Sequence, residues 1–244
     1  MTLLQSVTPD RDRFTSGHPF DVPAVAKLER LVFDRPVTFF AGENGTGKST
    51  LLEAIAVASG CPLAGGIADA YLSGPKKGPG LAPALTIGWR DPKPIGGAFF
   101  LRAETFYGVA AAARNPSGYA AAQLLAAFED HDPLELSHGE SFLQLFAGRF
   151  AAQAVFFLDE PEAPLSFRGC LSLMLTMHDL VRAGSQFIVA THSPVLMAFP
   201  DAAIVQFDGD GTRPVAYDES DVYLATRDFL AEPQRFLRHL FDDG

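Results

Sequence analysis

Two cysteines stand in 244 residues, Cys61 and Cys170, and neither has a close-spaced partner. That shortage argues against a zinc site or a disulfide framework. It fits a reducing cytosolic setting in which both thiols act as small buried apolar groups. Long apolar runs are missing too: none approaches the ~18 residues of a membrane span, and no charged-then-apolar leader stands at Met1. Positive charge is scarce. Lys and Arg number 19 against 29 Asp and Glu, a formal net charge of −10, which argues against broad non-specific contact with a nucleic-acid backbone and leaves direct nucleic-acid binding open. No sustained heptad occurs, so long coiled-coil arms are not expected. What remains is ordinary for a globular chain, 48% hydrophobic and 20% charged, with length for a core that needs no staples. The expectation is one cytoplasmic domain over 1–244 without membrane insertion.

What is present is a phosphate-binding pattern. The apolar run Val37-Thr38-Phe39-Phe40-Ala41 leads into Gly42-Glu43-Asn44-Gly45-Thr46-Gly47-Lys48-Ser49-Thr50 and then Leu51-Leu52-Glu53-Ala54-Ile55. Strand, glycine-rich turn and helix start follow one another, which is the context a P-loop requires. Its glycines let successive N–H groups curl toward phosphate oxygens, and the helix N-terminus adds partial positive charge. The candidate nucleotide contacts are Gly42, Asn44, Gly45, Thr46, Gly47, Lys48, Ser49 and Thr50. Lys48 is expected to reach the β- and γ-phosphates, and the Ser49 hydroxyl to ligate Mg²⁺. Phe14 and Phe20, upstream, either stack on a nucleotide base or cover a sheet edge.

Around this loop the pattern alternates apolar strands with helices. Residues 1–20 read as polar and irregular, and 28–33 as a strand before the P-loop strand. The P-loop helix is predicted over 48–59, followed by Gly/Pro-rich loops at 60–96 that a strand at 85–89 interrupts. Lys76-Lys77 suits a solvated loop better than a phosphate contact. A buried strand covers 98–104, and an alanine-rich helical insertion occupies 107–130. Then come an amphipathic helix from Ser141 to about Gln153, the strand Ala154-Val155-Phe156-Phe157-Leu158, and a helix over 165–183 capped by Gly184. A strand at 186–190, a short helix at 195–199, a strand at 203–207 and a tail helix broken near Pro233 complete the chain. Such alternation implies an α/β fold with a mostly parallel sheet flanked by helices.

The strand before Pro161 ends in Asp159-Glu160, two carboxylates at the strand end where open α/β sheets bind ligands. Asp159 is expected to hold Mg²⁺ with Ser49. Glu160 is placed to polarise an attacking water as general base, and two acids favour hydrolysis over binding alone. Leu136-Ser137-His138-Gly139-Glu140 reads physically as a capping box, with Ser137 and Glu140 exchanging bonds at a helix start. A capped start is also an anion site. His192 follows a buried strand and is expected to reach Glu160 or the γ-phosphate. Thr191 and Ser193 share that strand end, where capping the next helix would account for them.

Taken in order, these motifs resemble an ABC-type ATPase over roughly 28–207. The resemblance implies a P-loop NTPase fold of ABC-ATPase type, with ATP and Mg²⁺ as ligands and a small helical subdomain over 105–150 carrying the signature motif. It implies that Ser137 and Gly139 contact the nucleotide of a second protomer, that Glu160 is the catalytic base with Lys48 as charge stabiliser, and that His192 is the switch histidine. Leu165-Ser166 falls at the family's dimer-contact loop and Glu104 where a lid-loop glutamine is usual. His138 replaces a signature glycine, and Glu104 puts an acid where an amide is expected. The chain is similar to compact stand-alone bacterial ATPases related to SMC-like and recombination-repair ATPases. The expected activity is ATP hydrolysis with ATP-dependent head-to-tail homodimerisation and a possible protein partner. The alternatives are a transporter's nucleotide-binding subunit and an ATP-gated sensor in a DNA-repair or defence complex.

Overall fold

The computed structural model describes residues 2–61, 80–90, 97–102 and 153–241. The expected helical subdomain at 105–150, with Ser137, His138, Gly139 and Glu140, lies outside them. So do Glu104, the Lys76-Lys77 pair and the helix expected from Ser141.

In chain order the elements are β1 (Leu4–Pro9), α1 (Pro23–Ala26), β2 (Leu31–Val32), β3 (Val37–Gly42), α2 (Lys48–Ala58), β4 (Leu85–Trp89) and β5 (Ala98–Arg102). After the undescribed stretch come β6 (Val155–Asp159), α3 (Phe167–Arg182), β7 (Gln186–Ala190), α4 (Pro194–Met197), β8 (Ala203–Asp208), β9 (Gly211–Val215), α5 (Asp221–Ala231) and α6 (Pro233–Phe241). Among the described residues a main sheet runs β5-β6-β7-β3-β8-β9. Every neighbour pair in it is parallel except the β8–β9 hairpin.

The apolar runs explain why both faces of this sheet are covered. Along β6, Val155 and Phe157 pack on one side with α2 residues Leu51, Leu52 and Ile55. The alternate residues Phe156 and Leu158 pack on the other side with α3 residues Cys170, Leu173 and Met177. Strand side chains alternate between faces, so a central strand between two helical layers must be apolar throughout. Helix α3 starts at Ser166, whose hydroxyl accepts a hydrogen bond from Gly169 N–H at 3.1 Å. It is followed by Gly184 at φ +93°, the left-handed residue that a helix C-terminus commonly requires.

A second sheet, β2-β1-β4, is antiparallel. Gln186, fully buried at the start of β7, fastens it to the main sheet. Its Oε1 accepts from the Leu3 and Leu4 N–H groups at 2.8 Å, and its Nε2 donates to the Leu4 carbonyl at 3.0 Å. Strand β1 corrects the expectation of an irregular segment at 1–20. It carries a register irregularity between Leu4 and Ser6 and turns both Ser6 and Val7 inward, so its alternation is broken. The strand expected at 28–33 shrinks to Leu31–Val32. Strand β9 gave no apolar pattern because it lies at the sheet edge, where Pro214 is tolerated.

Candidate functional site

The P-loop joins the end of β3 to the start of α2, and two of its glycines are there because nothing larger fits. Gly42 has φ +140°, and a Cβ there would meet the Phe207 carbonyl oxygen at 2.2 Å. Gly47, the N-cap of α2 at φ +99°, would press a Cβ to 2.6 Å from Val22. Glu43, Asn44 and Gly45 are exposed, and Thr46, Gly47, Ser49 and Thr50 half-buried. The Thr46 hydroxyl donates back to the Glu43 carbonyl at 2.8 Å.

Lys48 is buried and its ammonium donates to the Gly42 and Glu43 carbonyls at 2.8 and 2.7 Å. Burial lowers its pKa, opposed by the charges of Glu160, Asp159, Glu162 and Glu43. The cation thus sits in a field of acids drawn from the loop and from the end of β6.

Ser49 and Asp159, far apart in sequence, meet there: the Ser49 hydroxyl donates to Asp159 Oδ1 at 2.7 Å. The other carboxylate oxygen, Oδ2, accepts from Arg102 Nε at 2.8 Å, while Arg102 Nη2 donates to Glu53 Oε2 at 2.8 Å. Burial pulls the Arg102 guanidinium down, but the hydrogen bonds and charges of Asp159 and Glu53 outweigh it and raise the pKa. Asp159 is buried to 5% side-chain exposure, whereas Arg102 and Glu53 remain near 30%.

Glu160 stands one residue on, at φ +49° with its N–H bonded to the Ala190 carbonyl at 2.9 Å. Its Oε1 lies 3.7 Å from His192 Nε2, and their side chains are 43% and 32% exposed. Glu162, which sequence reasoning passed over, ties this corner together. Its Oε1 accepts from the Thr191 hydroxyl and from His192 N–H, both at 2.7 Å. Glu162 Oε2 and His192 Nε2 are buried atoms without a hydrogen-bond partner among the described residues. The Ser193 hydroxyl accepts from Leu196 N–H and caps α4, so helix capping accounts for it but not for Thr191. The signal for Glu162 was the acid after Pro161; for Arg102 it was a cation ending an apolar strand.

The fold thus brings the P-loop, Asp159, Glu160 and His192 together at the C-terminal ends of the neighbouring parallel strands β3, β6 and β7. Phe20 is a core side chain with Phe14 packed on it at 5.0 Å between ring centroids, and Arg11 lies over Phe14 at 4.7 Å. Phe20 thus covers the core, and Phe14 is half-buried with Arg11 over its ring. A cleft of about 520 Å³ lined by Lys27, Arg30, Asp34, Thr38 and Arg213 contains none of the P-loop residues. Among the described residues no helix is long and apolar enough to cross a membrane.

Known proteins carry the same elements. The family described as AAA domain matches residues 23–62, from α1 through the P-loop and its helix. An 84-residue segment, 34% of the chain, is 36% identical to the energy-coupling factor transporter ATP-binding protein EcfA of Methanocaldococcus jannaschii and spans 30% of that protein. Another of 81 residues, 33% of the chain, is 32% identical to the macrolide export ATP-binding/permease protein MacB of Chlorobium luteolum, covering 12% of it. The solved structure of CbiO1 from Clostridium perfringens, part of the ABC transporter complex CbiONQ, superposes over 99% of this chain and 100% of its own. The TM-score is 0.55 and the identity 19%. The resemblance to the ABC-type ATPases drawn from the motifs holds in the fold and in the P-loop segment: this is a P-loop NTPase fold of ABC-ATPase type.

Proposed function

We propose that the chain binds ATP with Mg²⁺ at the P-loop and hydrolyses it, in a site completed by a second copy. The observation that carries this is the Ser49–Asp159 contact at 2.7 Å, formed beside the buried Lys48 ammonium. Both groups are hard oxygen donors, and among the described residues no cluster of three His, Cys, Asp or Glu side chains would hold a metal alone. That suits Mg²⁺, which is usually held by one or two protein oxygens together with substrate phosphates. When bound there it would neutralise charge on the β- and γ-phosphate oxygens. Lys48 would exchange its two loop carbonyls for phosphate oxygens. Glu160 would accept the proton of the attacking water, and His192 would sit across from it to orient the γ-phosphate. In the partner copy Ser137 and Gly139 would close over the nucleotide.

Replacing Glu160 by Gln tests this reading. Loss of the proton acceptor should slow turnover by about 10²-fold or more with ATP binding intact, and the variant should accumulate an ATP-bound dimer. Normal turnover would remove Glu160 from the role of base, and a strictly monomeric gel-filtration profile with ATP would remove the sandwich.

One observation favours a second reading, service as the nucleotide-binding subunit of a transporter: EcfA, MacB and CbiO1 are all described as parts of transport systems. Co-purification with a multi-span membrane protein would decide for it.

A further inference from the structure

Arg102 ends β5 and touches two acids from two other elements. Its Nε donates to Asp159 Oδ2 at the end of β6, and its Nη2 to Glu53 Oε2 in α2, each at 2.8 Å. Asp159 is left with Oδ1 on the Ser49 side. Two carboxylates drawn to one point repel each other and attract a divalent cation. Here a guanidinium lies between them, and its planar fork fixes both directions at once, which a lysine cannot do.

We propose that Arg102 is a positioning residue of the metal site. It holds Asp159 so that only Oδ1 is offered beside Ser49, and it takes the place of a cation between Asp159 and Glu53, so that a divalent ion binds only together with the triphosphate. This rests on the reading of Ser49 and Asp159 as Mg²⁺ ligands. Charge and geometry are separable contributions. The charge keeps metal out of the nucleotide-free site; the fork keeps Asp159 aimed once the nucleotide is in place.

Mn²⁺ titration followed by electron paramagnetic resonance of the free ion separates the two. Without nucleotide, Arg102→Gln should bind Mn²⁺ at least tenfold more tightly than the unaltered chain, and adding Glu53→Gln should cancel that gain. Arg102→Lys keeps the charge and loses the fork, so its nucleotide-free Mn²⁺ binding should match the unaltered chain. Its kcat at saturating metal and ATP should still fall about tenfold. Unchanged Mn²⁺ affinity in Arg102→Gln overturns the cation role, and unchanged kcat in Arg102→Lys overturns the aiming role. Should Arg102→Gln fail to fold, judged by thermal melting, Arg102→Met, which keeps an unbranched stem without the charge, takes its place in the nucleotide-free Mn²⁺ titration, and the lysine variant still decides the aiming role. A control keeps the two ideas apart: if Asp159→Asn leaves the protein's affinity for the Mn²⁺·ATP complex untouched, the ligand assignment has failed. The nucleotide-free comparison then still reports on Arg102 by itself.

Discussion

The two halves of the site are built to different tolerances. Around Asp159 every group is fastened: one oxygen takes the Ser49 hydroxyl, the other takes Arg102, and the side chain is almost fully buried. Around Glu160 the packing is looser. The carboxylate lies 3.7 Å from His192, outside hydrogen-bond range, with both side chains partly open to solvent. Only the backbone beneath is tight, because Glu162 binds Thr191 and the His192 N–H. An ion's position must be set before it arrives, since misplaced hard ligands are costly. A proton acceptor must instead reach a water whose place is set by substrate, and such contacts often tighten only with substrate bound. The difference matches the two roles proposed for the neighbouring acids.

Paired substitutions would sharpen or break that contrast. The largest effect is expected from the two acids themselves: Glu160→Gln should cut turnover by about 10²- to 10⁴-fold with nucleotide affinity unchanged. Asp159→Asn should reduce turnover and metal-dependent nucleotide affinity together. Equal behaviour of both variants in ATP-binding and steady-state assays would erase the distinction. Next in size is Gly42→Ala, which forces a Cβ against the Phe207 carbonyl at a left-handed φ. A loss of about 3 kcal/mol in denaturant unfolding is expected, and an unchanged midpoint would show that the loop yields.

Smaller effects concern the looser half. Glu162→Ala leaves the Thr191 hydroxyl and the His192 N–H without their acceptor and should cost about 2 kcal/mol. Glu162→Gln keeps an acceptor oxygen and should restore most of that in a thermal melt. If alanine and glutamine melt alike, the acceptor is not what holds the His192 backbone. The smallest lies beyond both halves, at Cys61, whose thiol pKa burial raises to about 12 from 9.0. A raised folded-state pKa gives stability that is complete below pH 9 and is lost as pH climbs toward 12. Cys61→Ala should flatten that alkaline decline in denaturant midpoints while leaving ATP turnover at neutral pH untouched. A change in turnover would tie the far end of α2 to the chemistry.

Much of the fold was legible because its central strands advertise themselves. The run Val155 to Leu158 is apolar on every residue, and both its faces prove to be covered by helices. The P-loop, its helix and the tail break at Pro233 were equally plain. Strands β1 and β9 were not, one because Ser6 turns inward beside a register break, the other because an edge strand with Pro214 carries no apolar code. At the site, the motif residues Lys48, Ser49, Asp159, Glu160 and His192 were legible as candidates because phosphate and carboxylate chemistry leaves a local signature. Arg102 and Glu162 were not, since what they touch lies far off in sequence, on a helix, at a strand end or just past one. Ser137 and Gly139 stay proposals that rest on the motif alone.

The order of the strands has a consequence for how the chain is made. Strand β3, which carries the P-loop, is flanked by β7 and β8, with Val37 beside Phe187 and Thr38 beside Ala203. Both neighbours leave the ribosome long after the loop itself. Until they arrive, the carbonyl of Phe207 is not there to lie against Gly42, and nothing holds the strand straight. Such distant pairings are slow to form. A product ending before residue 186 lacks both neighbouring strands, and would therefore carry the whole phosphate-binding motif in its sequence and still have no cradle to put a nucleotide in.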